Sequence, residues 1–331
     1  KVGLKQTTRG NYFYMYEHFV KEDLGWQKIQ TIRRSDVRRF YNGLVDTQKL
    51  SMATLDNIHT VVHQIFKLAV EDNYICTNPS DEMLADCKRS HNYQATKRHA
   101  LTIPQQEAFI RYLSKSSVYK HWLPLFTFFL GTGCRVSEVT GIRWEDINMK
   151  ENYIEITPNM VYYQRDKGKC YFSVTTPKTE AGRRIIPMLP EVRKALEDEQ
   201  KHQKEVEISC QSIIDGYTNF IFLNRYGCPH NPQTINRTIK RVTLAYNEEE
   251  MERADKEQRE PVLLPPFSCH NLRHTFATRY CENETNLKVI QEILGHRDIT
   301  TTMDVYAEAT KDAKIKSFAG LEGKIKISEI L

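Results

Sequence analysis

Apolar residues at Leu55, Ile58, Val62, Ile65, Phe66 and Ala69 recur every three or four positions through SMATLDNIHTVVHQIFKLAVEDNYI. That spacing predicts one buried helix face, and Ser51, just ahead of it, supplies a hydroxyl to cap the helix. Upstream, YFYMYEHFVKEDLG predicts a helix ending near Gly25, and SDVRRFYNGL a shorter one starting at Ser35. Residues 1–85 are therefore expected to form an all-helical domain. NPSDEM then breaks the pattern, and CKRSHNYQATKRHA is polar, basic and aperiodic, so residues 86–99 are expected to be an interdomain linker.

The pattern changes again in residues 100–331, expected to be a second domain. LTIPQQEAFIRYLSK predicts a helix capped by Thr102 and opened by Pro104. NYIEIT, MVYYQR, CYFSVTT and RRIIPM, rich in β-branched and aromatic residues, predict short strands, and FIFL (220–223) a further one among the helices after Pro190. The expected fold is mostly α with a small antiparallel β-sheet (α+β). There is no internal repeat or low-complexity segment.

Composition narrows the classes. A chain of 331 residues with 40% hydrophobic and 27% charged side chains is an ordinary globular protein, long enough for two domains. No apolar run reaches the roughly 20 residues that span a bilayer, and the stretch from Trp122 to Leu130 holds a proline and predicts a buried helix. A net charge of +5 is only mildly basic. Basic residues nevertheless cluster in TIRRSDVRRF (31–40), in RDKGK (165–169) and at 183–184, as phosphate-binding surfaces do, whereas NEEEMERADKEQRE (247–260) predicts a solvated helix face or loop. Eight cysteines with no CxxC pair predict reduced, mostly buried thiols in a cytoplasmic protein. The chain starts at Lys1, from which we expect a segment missing upstream.

HNLRHTFATRY (270–280) holds the first candidate chemistry. His270 and His274, one helical turn apart, could share a zinc ion, but Asn271 stands where a metalloprotease helix has its glutamate base, and Arg273 sets a fixed cation beside the site. Three residues apart on one helix face, His270 and Arg273 suit an anionic substrate better: arginine's planar fork matches two phosphate oxygens, and histidine moves protons near neutrality. Further pieces agree. LGTGCRVSEVTGIRWEDI (130–147) carries Arg135 and Glu138 after a glycine turn, TTPKTEAGRRI carries Lys178 between two strands, and LGHRDITTTMDVYAEAT carries His296 and Tyr306. His274 is expected to pack or cap, Tyr280 to lie in the core, and Tyr162 and Tyr163 to pack or touch a phosphate backbone.

This ordered set, with the wording GTGCRVSE, HNLRHTFAT and LGH, resembles the tyrosine recombinase (phage integrase) family, and within it the integrases of conjugative transposons. The resemblance covers about residues 100–310. It implies a core-binding domain (1–85) and a catalytic domain with a tail (319–331), forming a C-shaped clamp on duplex DNA. It further implies Tyr306 as nucleophile forming a 3′-phosphotyrosyl link, His270 as its base, Arg135 and Arg273 as phosphate clamps, His296 as an added donor, Lys178 as general acid and Glu138 as the support of Arg135 or His270. No metal, ATP or other cofactor is implied.

The implied partners are double-stranded DNA at element ends and target site, three further copies in a homo-tetramer working through a Holliday junction, and excisionase and host DNA-bending proteins; no membrane is involved. DNA contacts are expected from Arg33, Arg34, Arg38, Arg39, Lys88, Arg89, Lys97, Arg98, Lys167, Lys169 and Arg183, in the bacterial cytoplasm. The tail, with Ile325, Ile327 and Ile330 alternating with polar residues, is expected to dock on its own domain or on a neighbouring subunit. An amino-terminal arm-binding domain is the expected missing segment. A type IB topoisomerase would share the chemistry and a silent architectural protein the DNA binding; the motif wording and the complete set favour the recombinase.

Overall fold

The computed structural model describes residues 6–94, 99–157, 159–166, 169–175 and 182–309, without the side chains of 164–166 and 308. These residues fall into two compact units, one drawn from Lys1–Lys97 and Tyr163–Cys170, the other from Arg98–Tyr162 and Tyr171–Leu331.

The first unit is helical: α1 (Gln6–Met15), α2 (Arg34–Asn42), α3 (Met52–Glu71) and α4 (Met83–Ser90). Ser51 caps α3 as expected, its hydroxyl accepting from the Thr54 N–H at 3.2 Å. Leu55, Ile58, Val62 and Phe66 of α3 close over Val37, Phe40, Tyr41 and Leu44. Helix α4 departs from the sequence reading, because residues 86–90, expected to be linker, are helical and bury Cys87 in this core. Within 86–90 Cys87 is the single buried apolar residue, too sparse a signal for periodicity to reveal.

The rest of the chain holds α5 (Ile103–Lys115), α6 (Leu123–Thr132), α7 (Val136–Gly141), β1 (Ile147–Asn148), β2 (Tyr153–Ile156), β3 (Asn159–Asp166), β4 (Lys169–Thr175), β5 (Arg184–Pro187), α8 (Pro190–Glu205), α9 (Pro232–Glu257), α10 (Cys269–Asn283), α11 (Leu287–Leu294) and α12 (Ile299–Ala309), all within the second unit except the end of β3 from Tyr163 and the start of β4 through Cys170, which fall with the first. Strands β1, β2 and β5 form an antiparallel sheet in that order, with Ile154 opposite Ile186, while β3 pairs with β4. Thr102 and Gln105 cap α5 reciprocally, which is why the helix starts there. Helix α6 sends Phe126, Phe128 and Phe129 fully into the core, each stabilising by about 2–3 kcal/mol through apolar burial.

Three expectations are corrected, wholly or in part. FIFL is no strand: Phe220 makes an isolated bridge to Arg143 and Leu223 one to Pro229. The acidic stretch 247–260 lies largely in α9 with a solvated face as expected, except that Glu250 turns inward and holds Arg259 and Arg253. All eight cysteines are free, yet only Cys87, Cys134, Cys269 and Cys281 are buried. Among the described residues, no helix is long and apolar enough to cross a membrane.

Candidate active site

Helix α6 stops at Gly133, whose φ of +61° lies in the left-handed region, and a Cβ there would sit 2.2 Å from the Phe276 ring. Only glycine meets both conditions, so the GTGCR turn delivers Arg135 to the start of α7. The R-x-x-E spacing then closes on itself. The Arg135 backbone N–H donates to Glu138 Oε2 at 2.8 Å and its Nη1 to Oε1 at 2.8 Å. Of the two expected partners, Glu138 thus holds Arg135.

Glu138 also receives a second arginine that the sequence reading did not select. Arg184, at the start of β5, donates from Nη1 to Oε1 at 3.0 Å and from Nη2 to Oε2 at 2.8 Å. The carboxylate is 2% exposed. Burial alone would raise its pKa, but the hydrogen bonds and charges of Arg184 and Arg135 outweigh that and hold it at about 2.

Helix α10 supplies the third arginine. Arg273, 6% exposed, donates to the Gly133 carbonyl at 2.5 Å and the Leu294 carbonyl at 2.6 Å. Arg184 Nε reaches the Ile293 carbonyl at 2.7 Å and Arg135 Nη2 the Gly295 carbonyl at 2.8 Å. Three successive carbonyls at the end of α11 therefore each accept from a different arginine. A helix C-terminus leaves such carbonyls without intrahelical donors and carries the negative end of the helix dipole, so it is a fitting anchor for guanidiniums. Gly295, at φ +62°, ends α11 and turns the chain into His296.

His296 is half-buried, with Nδ1 3.0 Å from the hydroxyl of the fully buried Thr302 on α12. Burial first, then the charges of Arg273, Arg135 and Arg184, lower its pKa to about 4. Burial and the neighbouring arginines also bring Arg273 down to about 10. Both shifts have one cause: among the described residues, Arg135 and Arg184 share the single carboxylate of Glu138 while Arg273 is held on backbone carbonyls beside them, which leaves positive charge in excess. Arg135 keeps 36% of its side chain exposed, so the surplus is accessible.

Tyr306 lies on α12 one turn after Thr302, half-buried against the apolar cluster of Ala277, Cys281, Ile290 and Leu294. His270 is exposed in the first turn of α10, one turn before Arg273. Tyr280 stacks on Phe276 against the same apolar cluster, and His274 Nδ1 lies 3.1 Å from the Thr278 hydroxyl, as expected of packing residues. Tyr162 packs on Phe172. Among the described residues, no group of three His, Cys, Asp or Glu is placed to hold a metal ion.

Lys178, Lys167, Lys97, Arg98 and the tail 319–331 lie outside the described residues. Arg33, Arg34, Arg38, Arg39, Arg89, Lys169 and Arg183 are exposed and Lys88 is half-buried. Several are already paired: Arg38 with Asp86 at 3.5 Å, Arg39 with Asp36 at 3.0 Å, Lys88 with Asp56 at 2.7 Å, and Arg89 with Asp86. Solvent-exposed pairs of this kind contribute roughly 0–1 kcal/mol, so they do not commit these cations.

The profile of the phage integrase family matches residues 99–313. The transposase from transposon Tn916 of Enterococcus faecalis is 28% identical over 313 residues, spanning 94% of this chain and 71% of that protein. The fold is similar to that of the Tn1549 transposon integrase in complex with a circular intermediate DNA, at 27% identity and a TM-score of 0.82 over 97% of this chain and 96% of that one. A lambda integrase tetramer bound to a Holliday junction shares the fold at 20% identity and a TM-score of 0.60, covering 94% and 74% respectively. The chain belongs to the phage integrase family and is a tyrosine recombinase, a DNA strand-exchange enzyme similar to transposon integrases.

Proposed function

We propose that this recombinase excises and inserts a mobile element through a covalent DNA–Tyr306 intermediate. The anchoring of Arg135, Arg184 and Arg273 on the end of α11, with surplus positive charge beside His296, is the observation that carries this reading. Tyr306 Oη attacks a phosphodiester phosphorus; the new P–Oη bond replaces the P–O5′ bond, leaving a 3′-phosphotyrosyl link and a 5′-hydroxyl. One phosphoester replaces another, so the step needs no ATP and runs backward when a 5′-hydroxyl from another duplex attacks. His270 takes the tyrosine proton, and Lys178 gives one to the departing oxygen.

As negative charge builds on the non-bridging oxygens, Arg135, Arg273 and His296 meet it with donors fixed in advance. Losing one such donor costs about 10²–10³ in rate at comparable sites. Arg184 acts behind them by holding Glu138. Duplex DNA at element ends and target is the substrate, four copies act on two duplexes, and excisionase and DNA-bending proteins assist in the cytoplasm. The helical first unit and the exposed cations grip the backbone, so binding weakens steeply with salt as counterions are released.

The test is capture from a pool of nicked duplexes. The native chain should retain DNA through denaturant, while Tyr306→Phe and Arg273→Ala bind DNA without retaining it. Binding without capture by the native chain refutes the reading.

A further inference from the structure

Thr302, within LGHRDITTTMDVYAEAT, is not among the residues given a role from the sequence, yet its side chain is wholly buried with its hydroxyl 3.0 Å from His296 Nδ1. It stands four residues before Tyr306, so both side chains rise from the same stripe of α12. We propose that Thr302 is a positioning residue that donates its hydroxyl proton to His296 Nδ1, fixing the imidazole proton on Nε2 and tying the phosphate donor to the helix that carries the nucleophile.

A neutral imidazole has one N–H and one bare nitrogen, and which is which depends on the partner of each. Toward a phosphate oxygen a bare nitrogen repels, whereas an N–H donates. A hydroxyl donating to Nδ1 leaves Nε2 as the N–H. Burial and three arginines keep His296 neutral in the DNA-free protein, so the tautomer matters. Because Thr302 and Tyr306 share α12, seating this helix sets the donor and brings the nucleophile together, and a helix that is not seated loses both. Cleavage competence is thereby coupled to one element.

This inference rests on the proposed covalent chemistry for its kinetic consequence but not for its structural one. Thr302→Val keeps the volume and removes the hydroxyl; Thr302→Ser keeps the hydroxyl and removes a methyl. A packing role makes serine the worse variant, and a positioning role makes valine the worse. Expected in single-turnover cleavage of a nicked duplex is a drop of about 10- to 100-fold for valine, as for other misplaced catalytic groups, with DNA affinity unchanged and serine close to native.

Nitrogen-15 spectra of the DNA-free protein, with His296 assigned by its loss in His296→Gln, should show the Nε2–H form in the native chain and in Thr302→Ser and a mixture in Thr302→Val. A native Nδ1–H form, or valine cleaving as fast as serine, overturns the proposal. A native chain that cleaves no DNA refutes the covalent reading instead, and the spectra then decide Thr302 alone.

Discussion

Replacing Glu138 with glutamine keeps the shape of the side chain and removes its charge. In the native protein that carboxylate is buried between Arg184 and Arg135, and its pKa is held at about 2 against an ordinary 4.5. At about 1.4 kcal/mol per tenfold, the difference corresponds to about 3 kcal/mol of stability at pH 7. Breaking a buried pair on one side costs about 3–5 kcal/mol on general grounds, which agrees. For a unit of this size that is a fall of roughly 6–12 °C in Tm.

The pH dependence has a definite sign. Because folding lowers this pKa, its contribution is complete above pH 4.5 and lost as pH falls toward 2, so the gap between native and Glu138→Gln should shrink between pH 5 and pH 3. Calorimetric unfolding across that range measures it. Arg184→Met should in turn cost less in the Glu138→Gln background than alone, by about 1–3 kcal/mol. A gap under about 1 kcal/mol at pH 7, or additive effects of the two changes, refutes the picture of one carboxylate holding two arginines.

Other perturbations probe the rest of the site. Arg273→Lys leaves one ammonium to replace two guanidinium contacts, to Gly133 and Leu294; single-turnover cleavage should fall at least about 100-fold, and a near-native rate contradicts the clamp role. Gly133→Ala forces a left-handed φ on alanine and drives its Cβ into Phe276; thermal unfolding should report a loss of about 2–4 kcal/mol, and a loss below about 0.5 shows that the turn relaxes freely. Proton NMR of His296 should show no protonation above about pH 5 in the DNA-free chain, given a pKa near 4. Since folding lowers that pKa from 6.5, native stability attributable to His296 is present above pH 6.5 and lost toward pH 4, so His296→Gln should lose less on acidification; an equal loss in both contradicts the shift.

The parts of the site readable in the sequence were those whose local spacing has a geometric meaning. Arg135 and Glu138 meet because three residues close one helical turn, and His270 and Arg273 share a face for the same reason. Arg184 reads in the sequence only as half of a basic surface pair, because it stands in an RR pair beside Ile185 and Ile186, a run in which either alternation is possible. The structure resolves the phase: Arg184 and Ile186 face inward while Ile185 is exposed, and a one-residue slip would have reversed all of them. The anchoring carbonyls of Ile293, Leu294 and Gly295 have no side-chain signature at all, so no residue pattern could announce them. FIFL misled because a short, wholly apolar run fits a strand or any buried segment equally well.

The measurement that tests the central claim most directly is the chemistry of the trapped linkage. A nicked duplex is incubated with the protein, the denaturant-stable adduct is digested, and the peptide bearing DNA is sequenced along with the ends of the released strand. The account predicts DNA attached through its 3′-phosphate to Tyr306, a free 5′-hydroxyl on the released strand, and no adduct with Tyr306→Phe. An adduct on another residue, or a 5′-phosphate on the released strand, contradicts it.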